Sequence, residues 1–161
     1  MRALSVLLAI IFLLSLVHLV SAASQASQPV TIQINPINEL ATSPGPGSLI
    51  VDTAVAGQEL SLVSDSSASY SFSTNQDTRK IICQLNLDMP SGTTLEAEIA
   101  SPGGSWSVSG KQTLSTTTVT LAQGGRGRAQ NKTITYTFTA TTSAGVIALS
   151  SRTATFTITS Q

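Results

Sequence analysis

The chain has 161 residues, eight Lys/Arg against eight Asp/Glu, and one histidine; charged residues make up 10% of it and apolar residues 41%. A neutral balance leaves no electrostatic footprint for nucleic acid or an anionic membrane surface. Low charge with many apolar residues also excludes a disordered chain, and the length suits one domain with one core.

Residues 1–22 read as a secretory signal. Arg2 supplies a positive n-region, residues 3–20 an apolar run, and Val20-Ser21-Ala22 a small-residue exit for cleavage. The single histidine, His18, lies inside that segment. The exported chain is therefore expected to lack the side chain most used for acid–base work near neutral pH. No second apolar run of spanning length follows, so no membrane partner is expected after cleavage. Residues 23–28 form a small polar leader, expected to be mobile.

From residue 29 the pattern has period two. Val30, Ile32 and Ile34 alternate with polar residues and predict a first strand. A second is expected near residues 48–52, after Ser43-Pro44-Gly45-Pro46-Gly47. Residues 59–64 and 69–74 follow, separated by a turn at residues 65–67. Ile81, Cys83, Leu85 and Leu87 make the next row. Leu95, Ala97 and Ile99 then alternate with Glu96 and Glu98. The last rows are Ile134, Tyr136, Phe138 and Ala140, then Ala154, Phe156 and Ile158, each alternating with threonines. Strict alternation directs Phe138 to the core and Thr137 to solvent. Threonine suits the wet face of a strand because it is β-branched. These rows predict an all-β fold, an immunoglobulin-like antiparallel sandwich of about eight or nine strands spanning residues 29–161.

Few residues carry chemistry. Glu96 and Glu98 share one strand face about 6–7 Å apart, a glycosidase-like spacing but without a cleft, so a solvated face is expected. Asp65, Asn75 and Asp77 do not follow a calcium-loop spacing and read as turn residues. Arg126, Arg128 and Lys132 follow a Gly-rich loop without the Gly-Lys-Ser/Thr ending of a phosphate loop, yet Arg126 and Arg128 remain candidates for an anionic ligand. Trp106, the only tryptophan, is either a core plug or, if exposed, a sugar-stacking surface. Cys83 has no partner within the chain and sits in register with Ile81 and Leu85. Asn131-Lys132-Thr133 is an N-glycosylation sequon. No catalytic, metal or cofactor residues are expected.

The phrases "SASYSFSTN", "KIICQLNLDMPSGTTLEAEIASP" and "ITYTFTATTSAGVIALSSRTATFTIT" resemble a loosely defined group of small secreted prokaryotic Ser/Thr-rich β-sandwich proteins with no characterised activity. More distantly, the architecture is similar to pilus subunits that assemble by donor-strand exchange, with "PVTIQIN" as the candidate donor. The resemblance implies a sandwich fold and a surface location, and no catalytic residues. The single cysteine departs from the disulfide-bearing pilins.

Together these features lead to the expectation of a secreted or cell-surface structural or adhesive protein that is not an enzyme. It would associate with itself through Val30, Ile32 and Ile34, or with a cell-surface glycan. An extracellular carbohydrate-binding module using Trp106 is the alternative.

Overall fold

The computed structural model describes residues 24–161; the signal read at residues 1–22 lies outside them. Among the described residues, all strands lie within residues 35–161.

Nine strands form two antiparallel sheets. They are β1 (Asn38–Thr42), β2 (Val63–Thr74), β3 (Arg79–Leu85), β4 (Thr93–Ile99), β5 (Ser107–Val108), β6 (Gln112–Thr113), β7 (Val119–Gly124), β8 (Gly127–Ala140) and β9 (Ala154–Ser160). One sheet has the order β1-β2-β8-β4-β6, the other β5-β7-β3-β9. From β3 onward each strand lies in the sheet opposite to its predecessor. Every such connection therefore bridges the two layers, and most pairings join strands distant in sequence.

The core is what alternation dictates. Tyr70 and Phe72 from β2, Ile81, Cys83 and Leu85 from β3, Ala97 and Ile99 from β4, and Ile134 and Tyr136 from β8 are all buried between the sheets. Leu114 and Leu121 complete it, each at most 2% exposed. Fully burying a side chain of this size contributes about 1.5–3 kcal/mol. The outer faces carry hydroxyls. Ser64 Oγ and Thr137 Oγ1 lie 2.8 Å apart, and Ser66 Oγ and Thr135 Oγ1 2.9 Å, joining β2 to β8 across the sheet surface.

Four sequence expectations are corrected. First, residues 24–37 contain no strand, and Val30, Ile32 and Ile34 are 79%, 88% and 83% exposed. Alternation records that a segment suits a strand, not that a partner strand is present. Second, residues 43–62 are irregular apart from a single bridge between Ala54 and Leu60, so the strand expected near residues 48–52 is absent. Third, residues 65–67 do not end a strand. Asp65 Oδ1 accepts hydrogen bonds from the Ser67 N–H (2.8 Å) and hydroxyl (2.6 Å), and the pairing with β8 shifts register there. The Asx geometry makes a bulge within one long strand. Fourth, Thr137 is buried (3% exposed) while Phe138 is only half-buried. Thr137 lies on the hydroxyl face, covered because β8 is flanked by β2 and β4. Phe138 points between the layers where they are incompletely closed.

That incomplete closure has a simple origin. Strands β2 and β8 are 12 and 14 residues long, whereas β3, β7 and β9 have 7, 6 and 7. At about 3.4 Å per residue, the longer strands outrun the shorter layer by several residues. At one end β1 lies against β9. At the other, β1 has stopped and irregular chain takes over.

Candidate functional site

The chemistry-bearing residues do not converge. Glu96 and Glu98 lie on the outer face of β4, opposite Thr137 and Thr135. Glu96 faces Lys111 Nζ at 3.9 Å. Asn75 is occupied by the backbone, accepting from the Ile37 N–H and donating to the Asn35 carbonyl, each at 2.8 Å. Asp77 pairs with Arg126 at 2.9 Å, and Asp65 is spent on its own bulge. The Ser67 hydroxyl, then its N–H, hold the Asp65 carboxyl below its usual pKa. Likewise the Thr116 N–H and then its hydroxyl hold Asp88 down. Among the described residues, no three His, Cys, Asp or Glu side chains come together as metal ligands.

The candidate ligand contacts separate too. Arg126 sits at the corner where β7 passes to β8 and is neutralised by Asp77, an exposed pair that contributes little stability. Arg128 is on β8 beside Ser73, and Ser73 in turn pairs with Glu39. The same rung thus places a carboxylate about 10 Å from the guanidinium at the backbone. Glu39, Arg128 and Lys132 border one shallow depression, so charge there is mixed rather than anion-selective.

Trp106 is 7% exposed and stands in the core. Its ring lies 4.6 Å from Phe72 at a 50° tilt. Gly124 and Gly127 flank it: a Cβ at Gly124 would come within 2.5 Å of the Trp106 ring. The two glycines let the chain turn the β7–β8 corner over a bulky indole. Trp106 is therefore the core plug of the two readings, and not the exposed stacking surface, because the ring is covered by this corner. Its Nε1 is buried without an acceptor.

Cys83 is fully buried, and burial pushes its thiol up to about 12. Tyr70 donates to the Ala100 carbonyl at 2.6 Å, and burial raises its hydroxyl to about 12. Tyr136 is raised to about 12 by burial first and by Cys83 second. Of the three, Tyr136 borders a groove, though it is only 6% exposed. Asn131 is exposed, with φ of 49°, in an irregular stretch of the β2–β8 pairing; its N–H donates to Ser71 Oγ at 3.0 Å. Asparagine tolerates this left-handed backbone better than most residues.

One concave feature was not read from the sequence. A groove of about 840 Å³ opens between the layers at the incompletely closed end. Phe138 and Leu95 from one sheet, Phe156 from the other, and Leu49, Ile147 and Leu149 from irregular segments give it an apolar lining. Arg152 is its only charged lining residue, and that guanidinium is engaged by the Asp88 and Ser151 carbonyls at 2.8 and 3.0 Å. The apolar residues Val146, Ile147 and Leu149 in an otherwise small and polar loop were its only sequence signal.

A scan of protein-family models matches none of them to this chain, and a search of curated proteins likewise returns no match. The functional reading rests on the geometry alone.

Proposed function

We propose that the protein is a secreted, cell-surface structural subunit that associates with copies of itself through residues 29–35. The carrying observation is the row Val30, Ile32 and Ile34, at 79%, 88% and 83% exposed. Such a row is costly to leave in water, and an exposed apolar patch marks a surface of association. An extended segment that adds to a sheet edge supplies backbone hydrogen bonds and seats alternate side chains. If it adds to another copy the contact is heterologous and propagates into a filament. Neutral net charge does not oppose this packing.

On this reading the sandwich is immunoglobulin-like in its layering, with a chain path that alternates between sheets. The exposed sequon at Asn131 is a place where the outer face accepts a glycan. The burial of Trp106 in the core favours this reading over the carbohydrate-binding alternative. Negative-stain microscopy of the purified chain tests the proposal. Filaments are expected, and they should vanish when residues 23–35 are deleted. Dispersed monomers from both chains would contradict it.

A further inference from the structure

Two residues of β8, Gln130 and Asn131, stand opposite a single residue of β2, Ser71. Tyr70 pairs with Lys132 and Phe72 with Ala129, and the ladder shifts between them. Two residues against one make a β-bulge, which lifts a side chain out of the regular ladder and re-aims it. The Asn131 N–H is satisfied by Ser71 Oγ, and the residue takes the left-handed backbone already described. Its carboxamide is exposed and has no hydrogen-bond partner among the described residues. Thr133, two residues on, is exposed as well, with its hydroxyl equally free. The sequon is therefore displayed on the folded chain.

We propose that Asn131 carries an N-linked oligosaccharide whose first sugar rings fold back into the shallow depression beside it. The inference rests on the reading of the chain as exported, and not on its self-association. In the attachment step, the Asn131 carboxamide nitrogen bonds to the anomeric carbon of an oligosaccharide activated as a lipid-linked phosphate. The bond from that carbon to the phosphate oxygen breaks. The lipid phosphate leaves with the electron pair, and the amide proton passes to solvent.

The depression, about 630 Å³, spreads across β1, β2 and β8. Gln130 and Lys132, the sequence neighbours of Asn131, both line it, as does Ser71. A sugar on Asn131 thus starts at its edge. Glu39, Ser73, Arg128, Gln130 and Lys132 line it without spending their side chains on any hydrogen bond or ion pair among the described residues. Guanidinium, ammonium and amide N–H donors stand beside carboxylate, amide and hydroxyl oxygens. Such a mixture suits a sugar ring, whose hydroxyls both donate and accept, better than a single ion. The tether supplies the affinity that an open surface lacks. A short covalent link holds the sugar at an effective concentration on the order of millimolar.

The test compares the chain purified from its own cells with two variants made in the same cells. Thr133→Val keeps the branched shape and removes the sequon hydroxyl. Asn131→Gly keeps the left-handed backbone and removes the carboxamide. Mass spectrometry reads the N-terminus and the mass at residue 131. Acylation by a water-soluble active ester reads access to Lys132, with Lys111, outside the depression, as internal standard. The expected result is a sugar mass on Asn131 of the native chain and none on either variant. Lys132 should be acylated roughly fivefold more slowly in the native chain, with Lys111 equal in all three. An exported chain with bare Asn131 would overturn the proposal and leave export standing. A glycosylated chain whose Lys132 reacts as fast as in the variants would overturn the docking. A chain that still begins at Met1 with bare Asn131 would remove the proposal and the export reading together.

Discussion

The residues that fix this molecule are those that cannot be exchanged for something slightly larger or more polar. Gly124 is the sharpest case. A Cβ there would fall 2.5 Å from the Trp106 ring and 2.9 Å from its Cα, so Gly124→Ala should destabilise by about 1–3 kcal/mol through overpacking. Gly45 has open space around it and no left-handed backbone, so Gly45→Ala should leave the urea midpoint nearly unchanged. Cys83 should resist thiol reagents in the native state and react only on unfolding, because the thiolate is the reactive form and burial disfavours it. The same burial sets a pH dependence. Cys83, Tyr70 and Tyr136 each have a folded pKa near 12, above their ordinary values. The unfolded chain therefore loses these protons first. The stability they contribute is full below about pH 8–9 and declines as pH rises toward 12. Thermal melts should be flat around neutrality, where the described residues hold no histidine, and fall in alkaline buffer. A melting temperature that held constant to pH 11 would show these groups to be less buried than described. Of these single-residue features, the core role of Cys83 was legible from its register with Ile81 and Leu85. The lock between Gly124 and Trp106 was not, because nothing local in the sequence says which glycine meets the indole.

At the scale of elements, the legible strands are those whose partners lie on both sides. Ile81/Cys83/Leu85, Leu95/Ala97/Ile99 and Ile134/Tyr136 alternate in sequence and are buried in the fold, because a central strand imposes its period on its own residues. Strands β5 and β6 are two residues each and are defined by their neighbours, so no periodicity announced them. The Val30/Ile32/Ile34 row shows the converse error. It carries the pattern of a strand but forms none. Asp65 misled in a third way, since one Asx geometry serves both a chain-reversing turn and a bulge. The uneven layers carry a measurable consequence. Phe72 and Phe138 are the same residue type on neighbouring strands of one sheet, but Phe72 is 3% exposed and Phe138 half-buried. Phe72→Ala should cost about 3–5 kcal/mol, a large share of a small domain's stability, and Phe138→Ala roughly half that or less. Equal losses in denaturant titrations would mean that the layers close at both ends alike.

Residues 35–161 form two packed layers, with β1 against β9 at one end and the long strands outrunning the short ones at the other. Its apolar row lies outside the strands, its groove within them, and both are nearly free of charge. Composition and alternation made the sandwich legible. The groove was not legible, because it arises from a mismatch in strand lengths that only the paired sheets reveal. Sedimentation velocity tests the proposed self-association through residues 29–35 most directly. The chain should sediment as a concentration-dependent series of large species. The triple variant Val30→Asp, Ile32→Asp, Ile34→Asp should sediment as a folded monomer, since three carboxylates cannot be buried unpaired in an interface between copies. Identical sedimentation of the two chains, whether both monomeric or both assembled, would contradict the proposed function.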